Sequence, residues 1–181
     1  MILDEIQTGF GRTGTFWAFE QEGIYPDILL SAKGMGGGMP LGAFMASSDL
    51  MRVFQTNPIL GHITTFGGHP VCCAASLACL QVILDENLLE NAVRQGQRIR
   101  EHLRHPLIQE LRGRELMLAA QFADFTQLKA VIDRCIQKGL ITDWFLFCDN
   151  AMRIAPPLVI TDDEVSAGLE MLRAALDAEL K

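Results

Sequence analysis

Ile28-Leu29-Leu30-Ser31-Ala32-Lys33-Gly34-Met35-Gly36-Gly37-Gly38 is the stretch on which the fold of this chain turns. Five uncharged residues lead into a lysine, and the lysine opens into four glycines among the next five positions. This reads as a buried strand whose C-terminal end delivers an amine into a tight turn, where glycine lets other backbone approach closely. Upstream the pattern occurs once more: the apolar run Met1-Ile2-Leu3 ends in Asp4 and Glu5 and passes into a loop with Gly9, Gly11 and Gly14. Leu41 to Ala46 is a third apolar run. Two strands that each end in an ionisable residue and a glycine-rich turn point to an α/β sheet with chemistry along one edge.

Downstream, Pro70 to Leu103 holds no further proline and a single glycine, and small apolar residues give way to amphipathic spacing at Val82, Leu89 and Val93. The spacing predicts one long helix or two abutting helices, with Pro70 at the start and Ala74, Ala75, Ala78 and Cys79 packing closely against a sheet. His105-Pro106 ends it. Beyond lie shorter elements: a strand over Leu116 to Phe122, a helix over Thr126 to Lys138 closed by Gly139, and strands over Leu140 to Cys148 and Met152 to Ala155. Pro156-Pro157 stops the last strand, and Thr161 with Glu164 forms a capping box for a terminal helix whose apolar face is Val165, Leu169, Leu172 and Leu176. The change of texture places a domain boundary near Arg104, with an α/β part over 1–104 and a smaller α+β unit over 105–181.

Composition narrows the function classes. The 181 residues are 49% hydrophobic and 20% charged, enough to bury a core. Fifteen Lys+Arg against 22 Asp+Glu give a net charge of -7 and a pI near 5.0, and no basic run interleaves with aromatics, which disfavours nucleic acid as a partner. The longest strongly apolar stretch, Val71 to Leu80, is half of the roughly 20 residues a spanning helix needs. Met1 to Glu5 lacks the basic flank and cleavage site of a secretory signal, so the cytoplasm is expected. Cys72, Cys73, Cys79, Cys135 and Cys148 show no C-x-x-C spacing and are expected to be reduced and mostly buried. The four histidines lack ligand spacing, and no metal is expected.

Lys33 and Asp4 carry the candidate chemistry. A lysine partly removed from water has its charged form disfavoured, leaving an amine able to attack a carbonyl. An acid at the end of a neighbouring strand is the second requirement of a pyridine-aldehyde cofactor: the lysine holds the aldehyde as an imine, and the carboxylate keeps the ring nitrogen protonated. The plainer alternatives are a surface lysine before a turn and a satisfied acid or turn cap.

Four motifs in order carry a resemblance. Asp4-Glu5-Ile6-Gln7-Thr8-Gly9-Phe10-Gly11-Arg12-Thr13-Gly14 comes first, then Pro26-Asp27-Ile28 with Ala32-Lys33-Gly34 and Gly36 to Pro40. Thr65-Phe66-Gly67-Gly68-His69-Pro70 and Arg153-Ile154-Ala155-Pro156-Pro157-Leu158-Val159-Ile160-Thr161 follow. The set resembles the class III aminotransferases, the pyridoxal-phosphate enzymes that include ornithine, acetylornithine, 4-aminobutyrate and lysine aminotransferases, and the 29 positions from Asp4 to Lys33 fit that family's pattern. The resemblance implies part of an aspartate-aminotransferase-like (fold type I) large domain followed by a small α+β domain, and an amino group moved from an amino acid or omega-amino donor to a 2-oxo acid. It makes Lys33 the Schiff-base lysine and proton shuttle and Asp4 the partner of the pyridinium nitrogen. Gln7 matches the contact on the phenolic-oxygen side of the ring, Thr65 the phosphate contact donated across a homodimer, and Arg153 the arginine that holds a substrate carboxylate.

The plainer alternatives are a turn hydroxyl for Thr65 and a strand-edge charge for Arg153. Glu5, Arg12, Thr13 and His62 are read as loop-fixing or packing residues. His69 replaces a usual asparagine, and Glu115 a frequent glycine. The resemblance spans the C-terminal half of the family; the N-terminal segment, the glycine-serine phosphate loop and the ring-stacking aromatic are not in the chain, so the isolated chain is expected to be inactive. The alternatives are a non-catalytic remnant, or an aminomutase, racemase or decarboxylase of the same fold.

Overall fold

The computed structural model describes residues 1–180. They form two compact units, Met1–Leu89 and a second from Glu90 onward. The division falls earlier than the expected Arg104 because the helix over 88–102 buries Ala92 and Ile99 in the core of the second unit.

The first unit is built on a three-stranded sheet, β1 (Ile2–Asp4), β2 (Ile28–Ser31) and β3 (Ala43–Ala46), in the order β1-β2-β3. β1 and β2 run parallel with Asp4 opposite Leu30, and β3 returns antiparallel with Ser31 opposite Ala43. A short helix α1 (Ser48–Arg52), N-capped by Ser47, and an exposed connection lead to α2 (Pro70–Asp85). Pro70 takes the first helical position, and the His69 Nδ1 accepts from Val71 N at 3.3 Å, so this histidine caps the helix as an asparagine would.

The amphipathic stretch resolves into two helices. α2 ends at Asp85, Asn87 takes a left-handed φ of +52°, and α3 (Leu88–His102) follows. No single helix among the described residues is long and apolar enough to cross a membrane.

The second unit is an antiparallel sheet of β4 (Glu110–Arg114), β5 (Met117–Gln121), β6 (Asp143–Phe145) and β7 (Cys148–Ile154), in the order β4-β5-β7-β6, with α4 (Phe125–Gln137) and α5 (Asp162–Glu179). The apolar run read as one strand over 140–148 is instead a hairpin: it turns at Leu146 and Phe147 and returns as β7, with a register irregularity at Trp144/Phe145. β4 has no apolar alternation to announce it, since Glu110-Leu111-Arg112-Gly113-Arg114 is mostly polar.

α5 carries the expected capping box: Thr161 accepts from Glu164 N and the Glu164 carboxylate accepts from Thr161 N. The buried cluster of Leu116, Leu118, Phe122, Leu128, Ile132, Met152 and Leu176 lies in this unit. All five cysteines are free thiols; Cys72 and Cys135 are buried, Cys73 is exposed, and Cys79 and Cys148 lie between. Burial pushes the Cys135 thiol up to about 11.

Candidate functional site

Parallel pairing decides what meets at the edge of the first sheet. Because Ile2, Leu3 and Asp4 lie opposite Ile28, Leu29 and Leu30, β1 and β2 finish at the same edge. Glu5 N donates to Leu30 O at 3.0 Å and extends the pairing by one residue. Asp4 is the last residue of β1, and Lys33 stands two residues beyond β2. A carboxylate and an amine 29 positions apart in sequence therefore leave the sheet on one side. Both are exposed. Exposure of Lys33 differs from the partly dehydrated amine expected from its approach strand. Asp4 Oδ1 accepts from Ile6 N at 2.9 Å, so one oxygen fixes the start of the turn that contains Gln7.

Lys33 opens a single 3-10 turn, Lys33–Gly36, closed by Gly37 at φ +57°. Its own φ is +49°, a left-handed backbone that a side chain adopts at a cost of about 1–3 kcal/mol and that gathers at functional positions. A Cβ on Gly37 would stand 2.5 Å from Ala75 O and 2.9 Å from Cys79 Cβ, so this glycine is needed for α2 to approach the turn. Ala75 and Cys79 thus pack on the turn, and Ala74 and Ala78 are exposed. At Gly38 nothing would meet a Cβ.

Glu5 holds this edge from behind. It is 4% exposed, and its carboxylate accepts from Ala18 N (3.1 Å), Phe19 N (2.9 Å) and the Thr8 hydroxyl. The loop of Gly9 to Gly14 is further pinned by Gln21, which donates to Thr13 O at 2.7 Å, and by the clustered rings of Phe10, Phe16 and Trp17. The loop-fixing role expected of Glu5 and Thr13 is what the geometry shows. His62 lies tilted against Phe54, with centroids 5.6 Å apart and 52° between the ring planes.

Thr65 lies exposed in the connection before α2, between the turns Ile63 N to Leu60 O and His69 N to Phe66 O. Arg153 belongs to the second unit, on β7, directly opposite Asp143 of β6. Its Nε donates to Asp143 Oδ1 at 2.8 Å and its Nη2 donates to Asp143 Oδ2, a bidentate pair. Asp143 is the residue sequence reasoning missed. Its only signal is the hairpin register, which is invisible when residues 140–148 are read as one strand.

The family model described as aminotransferase class-III matches residues 1–176. The acetylornithine aminotransferase of Corynebacterium efficiens is 43% identical over 180 residues, covering 99% of this chain and 43% of that protein; the corresponding enzyme of Caldanaerobacter subterraneus is 37% identical over 176 residues. The chain spans about 43% of the length of these curated relatives. Among solved structures, the ornithine aminotransferase of Toxoplasma gondii, described as having pyridoxal phosphate at partial occupancy in its active site, superposes with a TM-score of 0.87 at 34% identity, over 99% of this chain and 43% of that one.

Proposed function

Because the chain belongs to the class-III aminotransferase family, we propose that the protein it represents is a pyridoxal-phosphate-dependent transaminase acting on an amino donor and a 2-oxo acid. Its fold is accordingly part of the aspartate-aminotransferase-like α/β architecture. The observation that carries the proposal is the parallel β1–β2 register, which sets Asp4 and Lys33 on one sheet edge. That donor set suits the cofactor: an amine for an aldehyde, a carboxylate for a pyridinium nitrogen, and the Gln7 amide for the ring's phenolic side. When bound, the cofactor supplies an electron sink for the carbon that carries the transferred amino group.

The chain's residues divide the remaining work. Lys33 would hold the cofactor through Nζ, and its amine would carry the proton removed from the substrate carbon. Asp4 holds a proton on the ring nitrogen by its charge. Arg153 takes the substrate carboxylate in the fork of its guanidinium. Thr65 donates to the cofactor phosphate of a partner subunit, which makes the working form a homodimer. The acetylornithine aminotransferases among the relatives support a donor of the acetylornithine or ornithine type.

Incubation of the full-length enzyme with pyridoxal phosphate, borohydride reduction and peptide mapping test the reading. The label is expected on Lys33. Label on any other lysine instead, or turnover retained in Lys33→Ala, overturns the assignment.

A further inference from the structure

A polar row on α3 faces the connection between β7 and α5. Asn91 Nδ2 donates to both Leu158 O (2.6 Å) and Ile160 O (3.0 Å), Gln95 Nε2 donates to Asp162 Oδ1 (2.6 Å), and Arg98 Nη2 donates to Ser166 Oγ (2.9 Å). Positions 91, 95 and 98 fall on one face of a helix, since side chains recur on a face every three to four residues. Gln95 and Arg98 reach residues of α5 itself, whereas Asn91 grips the connection. Its amide is used in full: each Nδ2 hydrogen has a carbonyl to meet, and Oδ1 accepts from Arg94 Nη2 at 2.7 Å, which fixes which way the amide points.

That connection starts one residue after Arg153 and Ile154 close β7. Pro156 and Pro157 have no N–H with which to tie it down, and it turns back with Ile160 N donating to Pro157 O at 3.1 Å. Arg153, Pro156, Pro157 and Ile160 line one cavity of about 390 Å³. We propose that Asn91 is a positioning residue for Arg153: by holding the Leu158 and Ile160 carbonyls it fixes the Pro156–Ile160 wall beside which the guanidinium meets the substrate carboxylate. The proposal rests on the reading of Arg153 as the receptor of that carboxylate and adds what keeps the receptor's wall in place.

The expected signature follows from what the amide supports. Removing it leaves two partly buried carbonyls without their donor, and a segment with two prolines has few bonds of its own to keep its place. A guanidinium takes a carboxylate well only when both parallel N–H groups are aligned with it, so a small shift of the wall weakens carboxylate binding. A substrate without a carboxylate makes no use of the fork and does not register the shift. The effect therefore falls on KM for acids and spares kcat.

Steady-state kinetics of the full-length enzyme with acetylornithine and with N-acetyl-1,4-diaminobutane, the same donor without its carboxylate, test the proposal. Asn91→Leu and Asn91→Asp both remove the Nδ2 donor and differ in their demands on folding. Each is expected to raise KM for acetylornithine about tenfold while kcat stays within about twofold, and to leave kcat/KM for the amine unchanged. Added to Arg153→Lys, neither should cost acetylornithine anything further, because a residue that acts through the fork has no effect once the fork is gone. Equal losses for both donors, a fall in kcat at constant KM, unaltered kinetics, or losses that multiply in the double variant overturn the proposal and leave Arg153 its role. If Arg153→Lys itself does not separate the acid from the amine, or the unmodified enzyme turns over neither donor, the receptor reading falls and the part given to Asn91 falls with it.

Discussion

Asp4 has two tasks that one substitution can separate. Its Oδ1 accepts from Ile6 N, a bond that the amide oxygen of asparagine can also accept, whereas the negative charge proposed to face the cofactor nitrogen has no amide equivalent. In the full-length enzyme, Asp4→Asn is therefore expected to keep the turn and the bound cofactor, as read from cofactor absorbance. Turnover should fall at least about a hundredfold, the scale for losing one preorganised electrostatic partner. Turnover near that of the unmodified protein would show that the carboxylate serves the turn alone. Lys33 differs in kind: its left-handed φ of +49° is imposed by the turn around it. A reading of residue types names the lysine without naming that strain, because φ is set by the tight return of the chain toward Leu41.

At the scale of elements, α5 and the contact of α3 with the β4–β5 hairpin give opposite lessons. The Thr161–Glu164 box is local, and four residues of sequence specify it. Thr161→Ala should destabilise the protein by about 1 kcal/mol in denaturant unfolding. The bonds from the Thr161 backbone and then its hydroxyl hold the Glu164 carboxyl below the ordinary glutamate value. A pKa lower in the folded than in the unfolded chain means that the carboxylate's contribution is fully present above that ordinary value and is lost as pH falls through the depressed one. Glu164→Gln should accordingly flatten the acid limb of stability and leave its shape unchanged at neutral pH; an unchanged acid limb would show that the box is not formed in solution.

Gly96 is the non-local case. A Cβ there would stand 2.4 Å from Glu115 Cα, backbone that cannot swing aside, in a hairpin turn where Glu115 itself is left-handed at φ +41°. Gly96→Ala is expected to cost about 1–3 kcal/mol by overpacking. Unfolding at the same denaturant midpoint as the unmodified chain would contradict the close approach of α3 to that turn.

Across the whole molecule, apolar surface is distributed unevenly. The large buried cluster belongs to the second unit, while the first exposes Ile2, Phe44, Ile59, Ile63 and Phe66, with Ile59 and Phe66 each more than three-quarters exposed. Exposed apolar groups on this scale, beside a short sheet with open edges, predict self-association of the 181-residue chain. Sizing chromatography over a range of concentrations should show species larger than 20.0 kDa, and a concentration-independent monomer would contradict it. The sequence alone determined the features written locally: the strand-to-glycine turn at Lys33, the acid-ended strand at Asp4, Pro70 as a helix start, the Thr161 cap and the order of the family motifs. These depend on side-chain type and spacing within a few residues. Only the tertiary structure decided the features that rest on pairing between distant segments. The parallel register sets Asp4 and Lys33 on one edge, α2 comes against Gly37, α3 joins the second unit, and the hairpin folds Asp143 onto Arg153. Register is fixed by how whole strands bury their faces, and polar runs such as Glu110 to Arg114 carry no periodicity from which a chain-local reading could recover it.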